Sequence, residues 1–187
     1  SMELATLGAS LARTGTDAEK GREMLEKAAN EASKLNEFLT ISGYAKEALG
    51  DDALAASLLA KVEEKAKGLD DYVNLARTLK ADGAADAARD FYAKAARYCE
   101  DMDQTVAYAK GMIEILEDRD GARKTLEDAE TDCQFPKDFA ALAAGYKEVF
   151  DDAEKVAELM DQAAEFAMSG EENLDLAKGY WGLMGDK

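Results

Sequence analysis

The chain has 187 residues, 47% of them apolar, one proline, no histidine and a formal net charge of −17. That apolar share supports a core, and its richness in alanine with few β-branched runs points to helices and not to sheets. The charge excludes general nucleic-acid binding, which needs a basic surface to displace counterions. The missing histidine removes His triads, His general bases and most zinc sites.

No apolar window is long enough to span a membrane. The opening SMELATLGASLART has no basic segment ahead of an apolar one, so no signal peptide is expected, and Ser1 before Met2 reads as a tag remnant. A cytoplasmic place is expected unless a leader has been removed. Cys99 and Cys133 are expected to be free thiols. They are about 34 residues apart, and residues one repeat apart on packed helices sit too far from each other for a disulfide.

In chain order, a landmark of large, small and large residues recurs on alternate helices. It reads Leu7–Ser10–Leu11, Thr40–Gly43–Tyr44, Leu75–Thr78–Leu79, Tyr108–Gly111–Met112, Leu142–Gly145–Tyr146 and Leu176–Gly179–Tyr180. Thr40 departs from the pattern, with Ile41 as the alternative packing residue. Self-similarity at this period marks a helical solenoid. The corners fall at Gly15-Thr16-Asp17, Gly50-Asp51-Asp52, Gly83, Glu117-Asp118 and Phe150-Asp151-Asp152. Glycine suits the left-handed closing residue, and aspartate caps the next helix. These Asp pairs therefore read as structure and not as catalytic dyads.

Each second helix carries an apolar stripe, clearest as Ala88, Tyr92, Ala95, Ala96 and Cys99. Pro136 is expected at the start of a helix, where its missing N–H costs little. Asp118 to Glu127 imitates a calcium loop, but Leu116 occupies the first ligand position, so no calcium site is expected. No phosphate loop or nucleophile elbow occurs. The expectations are no enzyme, no catalytic residues, no metal and no cofactor.

The stretch 71–98 resembles a tetratricopeptide repeat (TPR), a pair of antiparallel helices. Tyr72, Leu75, Ala76, Leu79, Gly83, Ala88, Tyr92 and Ala95 stand at that family's signature positions, and Leu7, Gly8, Leu11 and Gly15 repeat the first half. Phe91 to Ala96 is also similar to Sel1-like repeats. The usual proline at the end of the second helix is replaced by Glu100. The resemblance implies an all-α, TPR-like right-handed α-solenoid of about five helix pairs plus a final single helix. Its repeats would be roughly 2–35, 36–69, 70–102, 103–136, 137–170 and a partial 171–187. The final helix, expected from Glu172 to Met184, is as apolar as an internal one, which suits a longer array more than a polar terminal cap.

In such repeats the first helices line a concave groove that binds peptides. Transferred to this chain, the partner-binding residues would be Arg13, Lys46, Asn74, Arg77, Lys80, Lys110, Lys147, Lys178 and Trp181. The simplest account of the bases is that they balance neighbouring carboxylates. The alternative is a groove that focuses positive potential on an acidic segment. The Lys and Asn set with which some TPR domains clamp a terminal carboxylate is matched only at Asn74. Trp181 reads first as packing against a further element and second as an aromatic anchor. The expected function is a protein–protein interaction scaffold for a protein or peptide, with no nucleic acid and no membrane. The alternatives are a module that self-assembles through its last helix, or a fragment working through its acidic convex face.

Overall fold

The computed structural model describes residues 1–15 and 17–184. Thr16 of the first corner and the expected ending Gly185-Asp186-Lys187 lie outside the described residues. Those residues are all-α, with eleven helices in sequential antiparallel pairs. They are α1 (Met2–Arg13), α2 (Ala18–Glu31), α3 (Leu35–Leu49), α4 (Asp52–Lys65), α5 (Leu69–Ala81) and α6 (Ala85–Ala95), followed by α7 (Met102–Gly111), α8 (Arg119–Glu130), α9 (Pro136–Phe150), α10 (Ala153–Phe166) and α11 (Gly170–Met184). The odd-numbered helices open the repeats, and from α3 onward each starts one residue ahead of the expected boundary. None of the eleven is long and apolar enough to cross a membrane.

Local chemistry explains the pairs. Asp17, Asp51, Asp118 and Asp152 cap α2, α4, α8 and α10 by accepting a backbone N–H three residues on. The corner residue ahead of these caps has positive φ: Gly15 and Gly50 in the first pairs, Glu117 and Asp151 in the later ones. Gly83 does the same before α6, whose Ala84 N-cap supplies no side-chain cap.

The first helices share a second device. Glu37 accepts the N–H groups of Ser33 and Lys34, Asp71 that of Lys67, and Gln104 that of Glu100. Asp138 accepts those of Gln134 and Phe135, and Glu172 those of Met168 and Ser169. In each case a side chain one turn inside the helix reaches back to the incoming linker and satisfies donors the helix cannot.

Chain contacts divide the molecule into two compact units, 1–78 and 79–187, with the boundary inside α5. In the first unit α1 packs on α2 and α3, and α3 on α4. Gly8 and Gly21 let α1 and α2 approach closely, since a Cβ on either would meet the other's carbonyl oxygen within 2.8 Å. Leu25, Ile41, Leu58, Val62, Tyr72 and Leu75 are its large, fully buried residues. In the second unit α7 packs on α8 and α9, and α9 on α10 and α11. Its core gathers Leu126, Phe139, Leu142, Tyr146, Val156, Leu159 and Met160 around small residues such as Ala109, Ala122 and Ala143.

Three details correct the sequence reading. In α3 it is Ile41 and Ala45 that are buried, while Gly43 is exposed, so the landmark there is Ile41–Tyr44–Ala45. In α1 Leu7 is exposed and Ala5, Gly8 and Ala9 face the core. In the second helix of the third repeat, Phe91 takes the core place expected of Ala96, because α6 ends at Ala95 and tightens into a 3₁₀ turn at Ala96–Tyr98. The fourth first helix also changes winding: after Gly111 it continues as a π-helical turn, Met112–Leu116.

Candidate functional site

The nine residues expected to line a groove have three kinds of surroundings. In the first unit Arg13 pairs with Glu47 on α3 at 3.3 Å, with its guanidinium over the Tyr44 ring. Lys46 is exposed on α3 and has no ion pair among the described residues. Asn74 and Arg77 are both exposed on α5, one turn apart, and Arg77 donates to the Asn74 amide oxygen at 3.2 Å.

In the second unit the lysines are engaged. Lys80 donates to the Glu117 carboxylate at 2.9 Å and to the Glu114 carbonyl at 3.2 Å. Glu114 lies in the π turn, where i→i+5 winding disturbs the regular pairing of carbonyls, so Lys80 supports that turn as well as balancing charge. It also holds the Glu117 carboxyl below its ordinary pKa, through the hydrogen bond and then the charge. Lys110 on α7 pairs with Glu148 on α9. Lys147 pairs with Asp151, and Lys178 with Asp175, each within its own neighbourhood. Arg13 and Lys110 tie successive first helices together, and Lys147 and Lys178 balance local carboxylates. Trp181 is 77% exposed on α11, so it fills no packing role among the described residues.

The structure brings together a different set. In the first unit a cleft of about 1130 Å³ opens where second helices end and first helices begin. Asn74 and Arg77 belong to it, but its other cations are Lys34, Lys61, Lys65 and Lys67, from two linkers and the end of α4. Among the described residues only Glu64 and Asp71 supply carboxylates to its lining, and Asp71 is occupied as the linker acceptor of α5. Its apolar floor includes Phe38 and Leu75. The Lys61 and Lys65 ammonium groups stand 5.9 and 5.7 Å from the centre of the Phe38 ring, within cation–π range. These four lysines lie off the first-helix faces, so the repeat pattern in the sequence does not single them out.

The equivalent place two repeats further on, in the second unit, is a smaller cleft of about 440 Å³. Among the described residues it is lined by Glu100, Asp101, Asp132 and Asp138, with Lys137 as its one cation. Position by position, Lys34 becomes Asp101, Lys65 becomes Asp132 and Phe38 becomes Thr105. The lone signal in the sequence is that reversal of sign between equivalent positions. Cys99 borders this second cleft. Both cysteines are free, and burial first of all raises both thiol pKa values, Cys133 to about 11. Neither is a ready nucleophile. No group of three or more acidic or cysteine side chains is placed to hold a metal ion among the described residues.

Compared with models of known protein families and with curated protein sequences, the chain finds no match.

Proposed function

We propose that this chain is a TPR-like array that serves as a protein–protein interaction scaffold and not as an enzyme, holding a segment of a partner protein against its first helices. The observation that carries this reading is the open cleft of the first unit, which places Asn74 and Arg77 beside an apolar floor. Clefts that are partly apolar, with a few convergent polar groups, are the usual form of a recognition site. Of the expected set, Arg77 and Asn74 are groove residues, whereas Lys80 and Lys110 act in the fold through Glu117 and Glu148.

The test is capture of a partner from native lysate by the wild-type chain and by an Asn74→Ala/Arg77→Glu variant, with helicity checked by circular dichroism. Loss of the captured protein with an intact fold is expected. Undiminished capture by the folded variant overturns the first-helix reading.

A second reading is self-association through α11. Leu174 and Trp181 are 56% and 77% exposed and stand two turns apart on one face of that helix. Sedimentation over a range of concentrations separates the two readings, since a strict monomer rules this one out.

A further inference from the structure

The cleft of the first unit has a charge that the rest of the chain does not lead one to expect. The whole protein carries −17, yet among the described residues the lining of this cleft has five cations against two carboxylates. Lys34, Lys61, Lys65 and Lys67 have no ion-pair partner among the described residues, in contrast to the paired lysines of the first-helix faces.

The fold alone gives these lysines little reason to converge. Lys65 closes α4 and suits the negative end of its dipole. Lys61 lies a full turn earlier, and like charges four residues apart on a helix repel. Both ammonium groups are held over the Phe38 ring, which offsets only part of that repulsion. Nor does the repeat impose the pattern, because the equivalent cleft in the second unit is acidic. An arriving anion would turn the mutual repulsion of Lys34, Lys61, Lys65 and Lys67 into attraction. The surrounding negative chain disfavours a long polyanion such as RNA and leaves room for a short acidic stretch.

We infer that this cleft recognises an acidic segment of a partner protein, with Lys61 and Lys65, held over the buried Phe38 ring, as its principal anion contacts. This rests on the scaffold reading above and adds the partner's chemistry and a second-helix contribution.

The probe is a short fluorescein-labelled peptide alternating glutamate with leucine, compared with the same peptide carrying glutamine, in anisotropy titrations with the full chain. Binding of the glutamate peptide, weakened by added salt and weaker by about tenfold or more in Lys61→Glu/Lys65→Glu, is the expected result. Lys61→Gln/Lys65→Gln, which keeps the stems and removes only charge, should give a smaller loss in the same direction. Lys20→Glu/Lys27→Glu changes net charge equally in the same unit at residues outside the cleft lining and should leave affinity within about twofold. Equal binding of the two peptides, or equal loss in the control variant, overturns the inference. So does a wild-type dimer that the cleft substitutions dissociate, because the occupant is then a second copy. If lysate capture survives the cleft substitutions but fails in Asn74→Ala/Arg77→Glu, the scaffold reading stands and this inference falls.

Discussion

Two buried tyrosines show how far a single hydroxyl can differ in its effect. Tyr92 is fully buried, stacks on Tyr108 with ring centroids 4.9 Å apart, and donates its hydroxyl to the Tyr108 carbonyl. Tyr146 is 1% exposed, and its hydroxyl has no hydrogen-bond partner among the described residues. Tyr92→Phe should therefore cost about 1 kcal/mol, the net worth of a satisfied bond, whereas Tyr146→Phe should be neutral or stabilising by about 1 kcal/mol. Thermal melts of the two variants check this, and a Tyr146→Phe as damaging as Tyr92→Phe would show that the hydroxyl is satisfied after all. Burial, as the main cause, also raises the Tyr146 pKa. At this scale sequence and structure agree on which residue types are scaffold. The sequence does not distinguish the two hydroxyls, because a hydrogen bond depends on where a neighbouring carbonyl points.

At the scale of the helix, register decides the sign of a substitution. Gly43 lies in the interior of α3 with open space where a Cβ would go, so Gly43→Ala should stabilise by about 0.5–1 kcal/mol through helix propensity. Gly50 ends the same helix at φ 64°, and Gly50→Ala should cost about 1–2 kcal/mol. Denaturant midpoints of the two variants should move in opposite directions; parallel shifts would refute the register assigned here. Linkers add a pH dependence. Glu37 accepts the Ser33 and Lys34 N–H groups and the Ser1 hydroxyl, which pulls its pKa down to about 2. A depressed carboxylate contributes stability that is present above its unfolded pKa of about 4.5 and lost as pH falls through about 2. The melting temperature of the wild type should fall across that window, and Glu37→Gln should flatten part of the fall. An unchanged slope in Glu37→Gln would discount the contact. Positions 37, 71, 104, 138 and 172 mark the repeat more evenly than the apolar landmark does. That landmark slipped by one residue in α3 because Ile41 and Tyr44 are both large enough to serve, and only packing chooses.

For the whole molecule, the all-α class, the paired helices, the corners and the aspartate caps were legible from spacing, because each rests on contacts within a few residues. The candidate site was legible only in part. Asn74 and Arg77 sit on a face that the resemblance pointed to, and the structure keeps them in a cleft. Lys34, Lys61, Lys65 and Lys67 come from separate linkers and a helix end, and they converge only through the packing of α3 on α4. In a chain of 23 basic and 40 acidic residues, such a local excess of one sign is hidden by the total. Lys80 and Lys110 stand out in the sequence for the same reason in reverse: their carboxylate partners lie a repeat away along the chain and become visible only when the helices stack.

The position of Trp181 has a spectroscopic consequence. It is the protein's single tryptophan and stands largely in solvent on the last described helix. Its emission should be red-shifted and open to quenching by acrylamide in the native state. Fluorescence should then report the loss of α11 while ellipticity reports all eleven helices, so the two denaturation curves need not coincide even when each unit melts cooperatively. A blue-shifted, poorly quenched native emission would instead place this indole in a covered interface.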